Sequence, residues 1–523
     1  MNSQALSPSD LAIAEAAFSS VAEEMGESLT RSAFSPNIKE RRDHSCGVFS
    51  SDGFLIAQAA HIPVHLGAMP MTVRTILDMA PFKKGDIITL NDPYKGGNHL
   101  PDITTVAPVF FGERLIGFVA TRAHHADIGG MAPGSMPVAT ELYQEGLIIP
   151  PIRLVDAGKI SQAAWSIILR NSRSPHEREG DLRAQLAATT LGIERVQSLV
   201  DRFSPEGVEI RFEAMLSHGE RVIREVISKI PKGVYEAEDF LEISEGGKIK
   251  LSLEVKGDSL SFDFAGTDPE SRTTSLNAVA QVTESACYYA VRSLAPLDAP
   301  TNEGCYRPVH IALPRKSLVN ASDPRAVSAG NVEVSQRITD VALKALSKAL
   351  PDLIPAASSG TMNNITIGGY DSRRNRSYAY YETLAGGAGG GPHQAGRSGV
   401  HTHMTNTLNT PVEAIPLAYP FSIERYELRT GSGGRGKNAG GEGLVREYLF
   451  SEPATVTIIS ERRKLQPWGL AGGDDGASGI NRLIRANQEE YELAARETVQ
   501  VDAGDRIIIE TPGGGGFGPI VIN

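Results

Sequence analysis

Glycine is gathered into five short runs in the second half of the chain. They are Gly386-Gly387-Ala388-Gly389-Gly390-Gly391, Gly431-Ser432-Gly433-Gly434-Arg435-Gly436, Gly440-Gly441-Glu442-Gly443, Gly472-Gly473-Asp474-Asp475-Gly476 and residues 513–516. Such runs do not extend a helix, because each glycine there costs about 1 kcal/mol relative to alanine. Apolar segments such as Val456 to Ile459 and Ile507 to Ile509 lie between them, so the pattern reads as strands joined by tight turns rather than as disorder. None of the runs has the G-x-x-x-x-G-K-[ST] spacing of a phosphate cradle, and none follows a strand as a dinucleotide fingerprint does. The chain from about Pro420 onward is therefore expected to be all-β, and no nucleotide site of known form is visible.

Upstream the patterning changes. Leu11, Ala14, Phe18, Val21, Met25 and Leu29 recur at steps of three and four behind Ser7-Pro8-Ser9-Asp10, which predicts a long amphipathic helix. Short β-like segments follow at Cys46 to Phe49, Phe54 to Ala57, Ile87 to Leu90, Val106 to Phe110 and Leu115 to Ala123. A second long helix is expected from Asp181 to Phe203, ended by Ser204-Pro205-Glu206-Gly207. Ile249, Leu251, Leu253 and Val255 alternate with polar residues, Lys256-Gly257-Asp258 turns the chain, and Leu260, Phe262 and Phe264 alternate back as a hairpin. Val334 to Leu350 reads as a buried helix. The expected class is α+β and multidomain: a mixed N-terminal metal-binding region at 1–204, a mixed α/β middle region at 205–415 and a Gly-rich β region at 416–523. A length of 523 residues agrees, at about 150 residues per domain.

The balance of 51 basic against 62 acidic residues gives a formal charge of −11, which disfavours a general nucleic-acid binder. Three scattered cysteines, Cys46, Cys287 and Cys305, suit neither a disulfide framework nor a thiolate zinc site. With no basic-then-apolar leader at Met1-Asn2-Ser3-Gln4, and no apolar run near the ~18 residues of a membrane span, a cytoplasmic protein away from membranes is expected.

The stretch 91–130 carries the chemistry. It holds Asn91-Asp92-Pro93-Tyr94, Gly96-Gly97-Asn98-His99-Leu100-Pro101-Asp102 and, after an expected strand, His124-His125-Ala126-Asp127. His and Asp suit Zn, Mn or Fe(II). A pair three apart can converge on one ion from a turn, and a His at the end of an adjacent strand can complete the set. On spacing alone, histidines that merely bond backbone remain a live alternative, since His-x-x-Asp is weaker than His-Glu-x-x-His. Arg41-Arg42-Asp43-His44 adds a carboxylate and two guanidinium groups that either face solvent or steer an anion. His61 and His65 read as structural. His393, His401 and His403 either line a pocket or sit on an exposed loop. No Ser occupies a G-x-S-x-G elbow, and a cysteine nucleophile is disfavoured.

These residues also carry a resemblance. Ser35 through Asp43, Asn91 to Tyr94, Gly97 to Asp102, His124 to Gly130, Glu141 with Gln144-Glu145-Gly146, Asn171-Ser172-Arg173, the runs at 431–443 and Pro512 to Gly518 together span nearly the whole chain. The sequence resembles the B subunits of the ATP-dependent hydantoinase and 5-oxoprolinase family, related to the α subunits of acetone and acetophenone carboxylases. The resemblance implies a Mn-type ion held by His99, Asp102 and His124, with Asp43 as fourth ligand. It also implies His125 and Asp127 as groups that orient a ligand or handle protons, and ATP bound by a separate ATPase-like A subunit in a hetero-oligomer.

The activity so implied is ATP-driven opening of a cyclic amide: a hydantoin, 5-oxoproline or a lactam. The partner would phosphorylate the amide oxygen, and a hydroxide on the divalent ion, Mn or Zn, would attack, since a bound metal lowers the pKa of water from about 15.7 to near 7. Arg41 and Arg42 are expected at the substrate, where guanidinium matches phosphate or carboxylate. Two alternatives stand beside this one. One is an α-type subunit of an ATP-dependent ketone carboxylase; the other is a non-catalytic scaffold subunit.

Overall fold

The computed structural model describes residues 6–59, 62–244 and 246–520. His61 lies outside the described residues. Ser7 caps α1 (Pro8–Ser32) by accepting the Asp10 N–H, and the helix buries Ala14, Phe18, Val21, Met25 and Leu29 along the predicted stripe. A single turn, α2 (Pro36–Lys39), leads into β1 (His44–Ser50) and β2 (Leu55–Ala59). After α3 (Ala68–Ile76) come β3 (Ile87–Leu90), β4 (Asp102–Phe111), β5 (Arg114–His124), β6 (Ile152–Asp156) and β7 (Lys159–Ile160). These strands form one antiparallel sheet in the order β2-β1-β5-β4-β3-β6-β7.

Helices cover both faces of this sheet. Phe49, Val106, Phe118 and Ala120 pack against Met69, Val73 and Ile76 of α3. The alternate residues Val48, Ala107, Val109 and Val119 pack against α1 and against α5 (Pro175–Phe203), which follows α4 (Gln162–Arg170). α5 thus begins six residues ahead of the expected Asp181, because Pro175 fits the first helical turn. Ser204, at φ 63°, turns the chain sharply into α6 (Pro205–Ser228). Val196 and Val200 before this turn share one core with Val208 and Phe212 after it.

The expected hairpin is β9 (Lys248–Lys256) and β10 (Ser259–Asp263), flanked by β8 (Gly233–Phe240) and the parallel β11 (Val309–Ala312). α7 (Ala280–Arg292) and α8 (Ser335–Ala349) pack with it, and α8 is buried on nearly every side. One π turn, Gly330–Val334, precedes α8. The largest apolar cluster runs from Ile62 to Ile459, across both expected region boundaries.

The remaining strands are β12 (Asn364–Asp371), β13 (Arg376–Thr383), β14 (Phe421–Arg429), β15 (Gly443–Phe450), β16 (Ala454–Ile459), β17 (Ile480–Ile484), β18 (Glu490–Leu493), β19 (Arg496–Val501) and β20 (Arg506–Glu510), with the short α9 (Ile415–Ala418) before β14. They make two further sheets, β13-β12-β16-β19 and β14-β15-β20-β17-β18. The chain is α+β, with strands and no helix described after Phe421.

The glycine runs do something other than turn. They lie side by side as extended segments that bond one another in several directions. Gly513 and Gly516 donate to Ala477 and Asp474 of one neighbour; Gly514 and Phe517 donate to Gly441 and Asn438 of another; Gly515 donates to Ala357 of a third. Gly513 with Gly516, and Gly514 with Phe517, are each three apart and share a neighbour, the period of a polyproline-II-like strand. A Cβ on Gly514 would lie 2.1 Å from the Ala388 carbonyl oxygen, so packing this close excludes side chains. Turn chemistry alone did not anticipate this, because a lateral bundle needs several runs brought together from far apart in sequence.

Candidate metal centre

The register of β4 against β5 sets Asp102 opposite His124 and Thr104 opposite Arg122. Side chains alternate along a strand, so these four share the α3 face of the sheet, whereas His125 faces α5. Arg122 is fully buried and donates to Thr104 Oγ1 (2.8 Å), Asn98 Oδ1 (2.9 Å), Thr72 Oγ1 (2.6 Å) and the Gly96 carbonyl (3.0 Å). It thereby pins the loop that delivers His99. Gly96 enters that loop at φ 95°, with the Thr72 backbone 2.8 Å from where a Cβ would stand.

Three donor atoms then meet. His99 Nε2 lies 3.2 Å from Asp102 Oδ1, His124 Nδ1 lies 3.3 Å from the same oxygen, and the two imidazole nitrogens are 3.2 Å apart. All three side chains are buried. Donors held about 2.0–2.2 Å from one divalent ion stand roughly this far from each other, so the residues present fit a metal ion. They are the group of His, Cys, Asp or Glu side chains that can converge on an ion among the described residues. Burial opposes charge on Asp102, yet His99, His124 and His65 hold its carboxyl well below the usual range. Burial pushes the His124 imidazole down, against the pull of Asp102.

Asp43 borders the same cavity, and its carbonyl accepts the His124 N–H at 3.0 Å. Burial pushes its carboxyl up, with His124 and Arg41 pulling the other way. It stands outside the tight triangle but faces the same space. Arg41 is fully buried and donates to Asn37, to the Tyr381 carbonyl (3.0 Å) and to Thr383 Oγ1 (2.9 Å); it reaches to 3.9 Å from Asp43. Tyr381 closes the opposite side. Its ring stacks on His124, and its hydroxyl donates to Asn364 Oδ1 at 2.9 Å.

Other expected residues are placed elsewhere. Arg42 points outward and pairs with Glu27 at 3.2 Å, both side chains nearly half exposed. His125 meets Gln185 Oε1 at 2.8 Å on α5, and burial together with Arg178 lowers its pKa to about 4. Asp127 has both carboxylate oxygens engaged, by the N–H groups of Gly129, Gly134 and Arg173 and by the Arg173 guanidinium at 3.0 Å. It braces the loop that follows β5.

Conversely, His65 belongs to the site. Its Nδ1 meets Ser45 Oγ at 2.9 Å, and its Nε2 lies 3.4 Å from Asp102 Oδ2. The His61/His65 spacing was the available signal, but only the position of Asp102 decides it. His401 and His403 pack behind the cavity wall, near Thr405 and Tyr289 at 3.4 Å each, whereas His393 is exposed. Asn331, Val332, Met362 and Tyr381 line the cavity from distant sequence positions that carry no local signal. The open space is about 20 Å³, enough for an ion and its water but not for a ring.

A buried His/Asp centre, capable of holding a divalent ion, set in an α+β chain of several sheets, defines the class. A match to the Hydantoinase B/oxoprolinase model over residues 7–520 carries this further: the chain belongs to that family. It is 39% identical to 5-oxoprolinase 1 of Arabidopsis thaliana, over 96% of this chain but 41% of that protein. The chain therefore spans about two fifths of the length of that relative. It is 31% identical to the B subunit of a putative D-/L-hydantoinase from a Pseudomonas strain, over 95% of this chain and 88% of the relative. The crystal structure of an ATP-dependent caprolactamase from Pseudomonas jessenii superposes with TM-score 0.92 at 27% identity, covering 98% of this chain and 91% of that one. A nucleotide-free acetone carboxylase shares the fold, with TM-score 0.88 at 18% identity over 96% of this chain and 74% of that one. No described helix is long and apolar enough to cross a membrane.

Proposed function

We propose that this chain is the metal-bearing B-type subunit of an ATP-driven cyclic-amide hydrolase, opening a hydantoin, 5-oxoproline or a lactam ring. The observation that carries the reading is the triangle of His99 Nε2, Asp102 Oδ1 and His124 Nδ1, with edges of 3.2–3.3 Å. Those three residues would hold one divalent ion, Mn or Zn, with Asp43 as the further carboxylate. Such an ion, when bound, brings the pKa of a coordinated water near 7 and so supplies a nucleophile at neutral pH.

The chain's own residues do the rest. His65, fixed by Ser45, keeps Asp102 turned toward the two imidazoles. Arg41 holds Tyr381 and Asp43 in place from behind. Ile62, Val64, Val332, Met362 and Met404 exclude bulk water, which strengthens every electrostatic interaction inside. ATP binding and phosphorylation of the amide oxygen are assigned to a separate A-type, ATPase-like subunit. Two facts support that division: the length left over in the Arabidopsis relative, and the Pseudomonas relative's being one subunit of its enzyme. Cytoplasmic operation belongs to the same reading and agrees with three free, buried cysteines.

The test compares the purified chain with the chain plus its A-type partner, using hydantoin, 5-oxoproline and ε-caprolactam. The isolated chain is expected to open none of them, with or without ATP. The pair is expected to couple ring opening to ADP formation. Robust ATP-independent ring opening by the isolated chain with added Mn or Zn would sink the reading.

A further inference from the structure

The π turn Gly330–Val334 puts Asn331 into the wall of the metal cavity, beside Asp102, His124 and His65. Asn331 is 4% exposed, and its side-chain Oδ1 has no hydrogen-bond partner among the described residues. Only its backbone is engaged: its N–H donates to the Val327 carbonyl and its carbonyl accepts from Ser335 Oγ. An unsatisfied amide oxygen in a dry interior costs about 1–3 kcal/mol, and native proteins keep few of them.

The surrounding structure holds this residue in place. Glu333, two positions on, accepts from the Met362 N–H at 3.2 Å and from Asn364 Nδ2 at 2.9 Å. Asn364 in turn accepts the Tyr381 hydroxyl, and Tyr381 stacks on His124. Asn331 is therefore fixed relative to a metal-ligand candidate through an unbroken set of contacts. Single π turns inside helices recur at functional sites.

We propose that Asn331 Oδ1 accepts the ring N–H of the cyclic amide, and so selects amides over rings that lack the N–H. The assignment rests on the ring-opening function and names a recognition element for it. A small-ring amide is held cis, so its N–H and C=O lie on one edge. A carboxamide presents the complementary pair, an acceptor and a donor side by side. Phosphoryl transfer to the amide oxygen leaves the proton on the ring nitrogen, as the imidate cation, so the same N–H is still donated to this oxygen, which then accepts from the amine of the opened product. A ketone has nothing to donate. The present cavity is too small for a ring, but Met362 and Met404 in its wall have the three-bond side chains that yield most readily.

The test uses the complex with the A-type subunit and reads binding without turnover, by ligand-observed NMR. Two matched pairs differ only in ring N–H against ring oxygen: ε-caprolactam with ε-caprolactone, and 5-oxoproline with 5-oxotetrahydrofuran-2-carboxylate. The wild type should bind the amide of its preferred pair at least about 10-fold more tightly than the lactone. Asn331→Ala should bring the two within about twofold by weakening the amide alone, with metal content and thermal midpoint unchanged. Asn331→Leu, close in size, should do the same, and Asn331→Asp, which keeps an acceptor, should retain the preference. A wild-type ratio preserved in Asn331→Ala or Asn331→Leu would overturn the assignment, as would loss of metal in step with loss of binding. A wild-type complex that opens no cyclic amide would count against the ring-opening function instead, a separate failure.

Discussion

The Tyr381 ring lies flat against the His124 imidazole, with 4.3 Å between centroids and 12° between planes. The Arg41 guanidinium carbon sits 4.7 Å from the same Tyr381 ring. A metal-ligand imidazole can rotate about two bonds, and this stack removes one of those freedoms before any ion arrives. Tyr381→Leu should weaken metal binding about 10-fold, in line with about 0.5–1.5 kcal/mol for an aromatic pair. Tyr381→Phe keeps the stack and should lose less. Competition titration with a chelating dye measures both, and equal loss in the two variants would contradict the stacking role.

His124 and His125 are neighbours in sequence and face opposite sides of β5. His124→Ala should leave the protein with far less than one equivalent of metal after dialysis, whereas His125→Ala should retain it. His65→Ala should retain metal but with affinity lowered about 10- to 100-fold, the usual effect of removing a group that orients a ligand. Elemental analysis and a metal titration decide. Equal metal content in the His124 and His125 variants would remove His124 from the ligand set.

Stability should depend on pH through two groups of opposite sign. Burial, reinforced by Arg41, lowers His401 to about 4, so the native state refuses a proton that the unfolded chain accepts below about 6.5. Its contribution is complete above pH 6.5 and is lost as the pH falls toward 4. Burial raises Glu333 to about 8, so the native state keeps a proton that the unfolded chain releases near 4.5. Its contribution is complete below pH 4.5 and is lost as the pH rises through 8. Glu333→Gln should therefore gain on the wild type as pH rises from 5 to 8, by up to a few kcal/mol. His401→Gln should gain on it as pH falls from 6.5 to 4. Thermal midpoints across pH that run parallel for variant and wild type would refute either assignment.

Gly514→Ala places a methyl 2.1 Å from the Ala388 carbonyl oxygen, against the Ala388–Gly389 backbone. It should cost more than about 3 kcal/mol or prevent folding, the upper range for overpacking. Gly112, at φ 58° with nothing within 4 Å of its Cβ position, is the control. Gly112→Ala should cost only about 1–2 kcal/mol, the expense of the left-handed backbone. Chemical denaturation compares them, and similar losses would argue against the close-packed bundle.

His99, Asp102 and His124 could be singled out as a candidate set because they are close in sequence and lie in text that resembles the family; spacing alone left structural histidines open. Strand alternation already separates His124 from His125, since consecutive strand residues face opposite sides. His65 could not be placed without knowing where Asp102 ends up. Asn331, Asn364 and Tyr381 sit more than 200 residues from His99 and carry no spacing signal of their own. The β14–β20 region was foreseen as strands from Pro420 onward. The glycine runs looked like turns because glycine permits turns and lateral close packing alike, and only the company of the other runs tells the two apart.

That bundle also sets what can move. A sheet can peel from an edge or shear along its strands, but segments bonded to neighbours on several sides have no such soft direction. Thr383 at the end of β13 runs through Leu384 and Ala385 straight into Gly386 of the bundle, and residues 356–357 of the bundle lead to Met362. The backbone of this half of the metal cavity is thus tied to an abutment. Room for a substrate is therefore expected from side chains of the cavity wall, Met362 and Met404 among them, rather than from the backbone of this half.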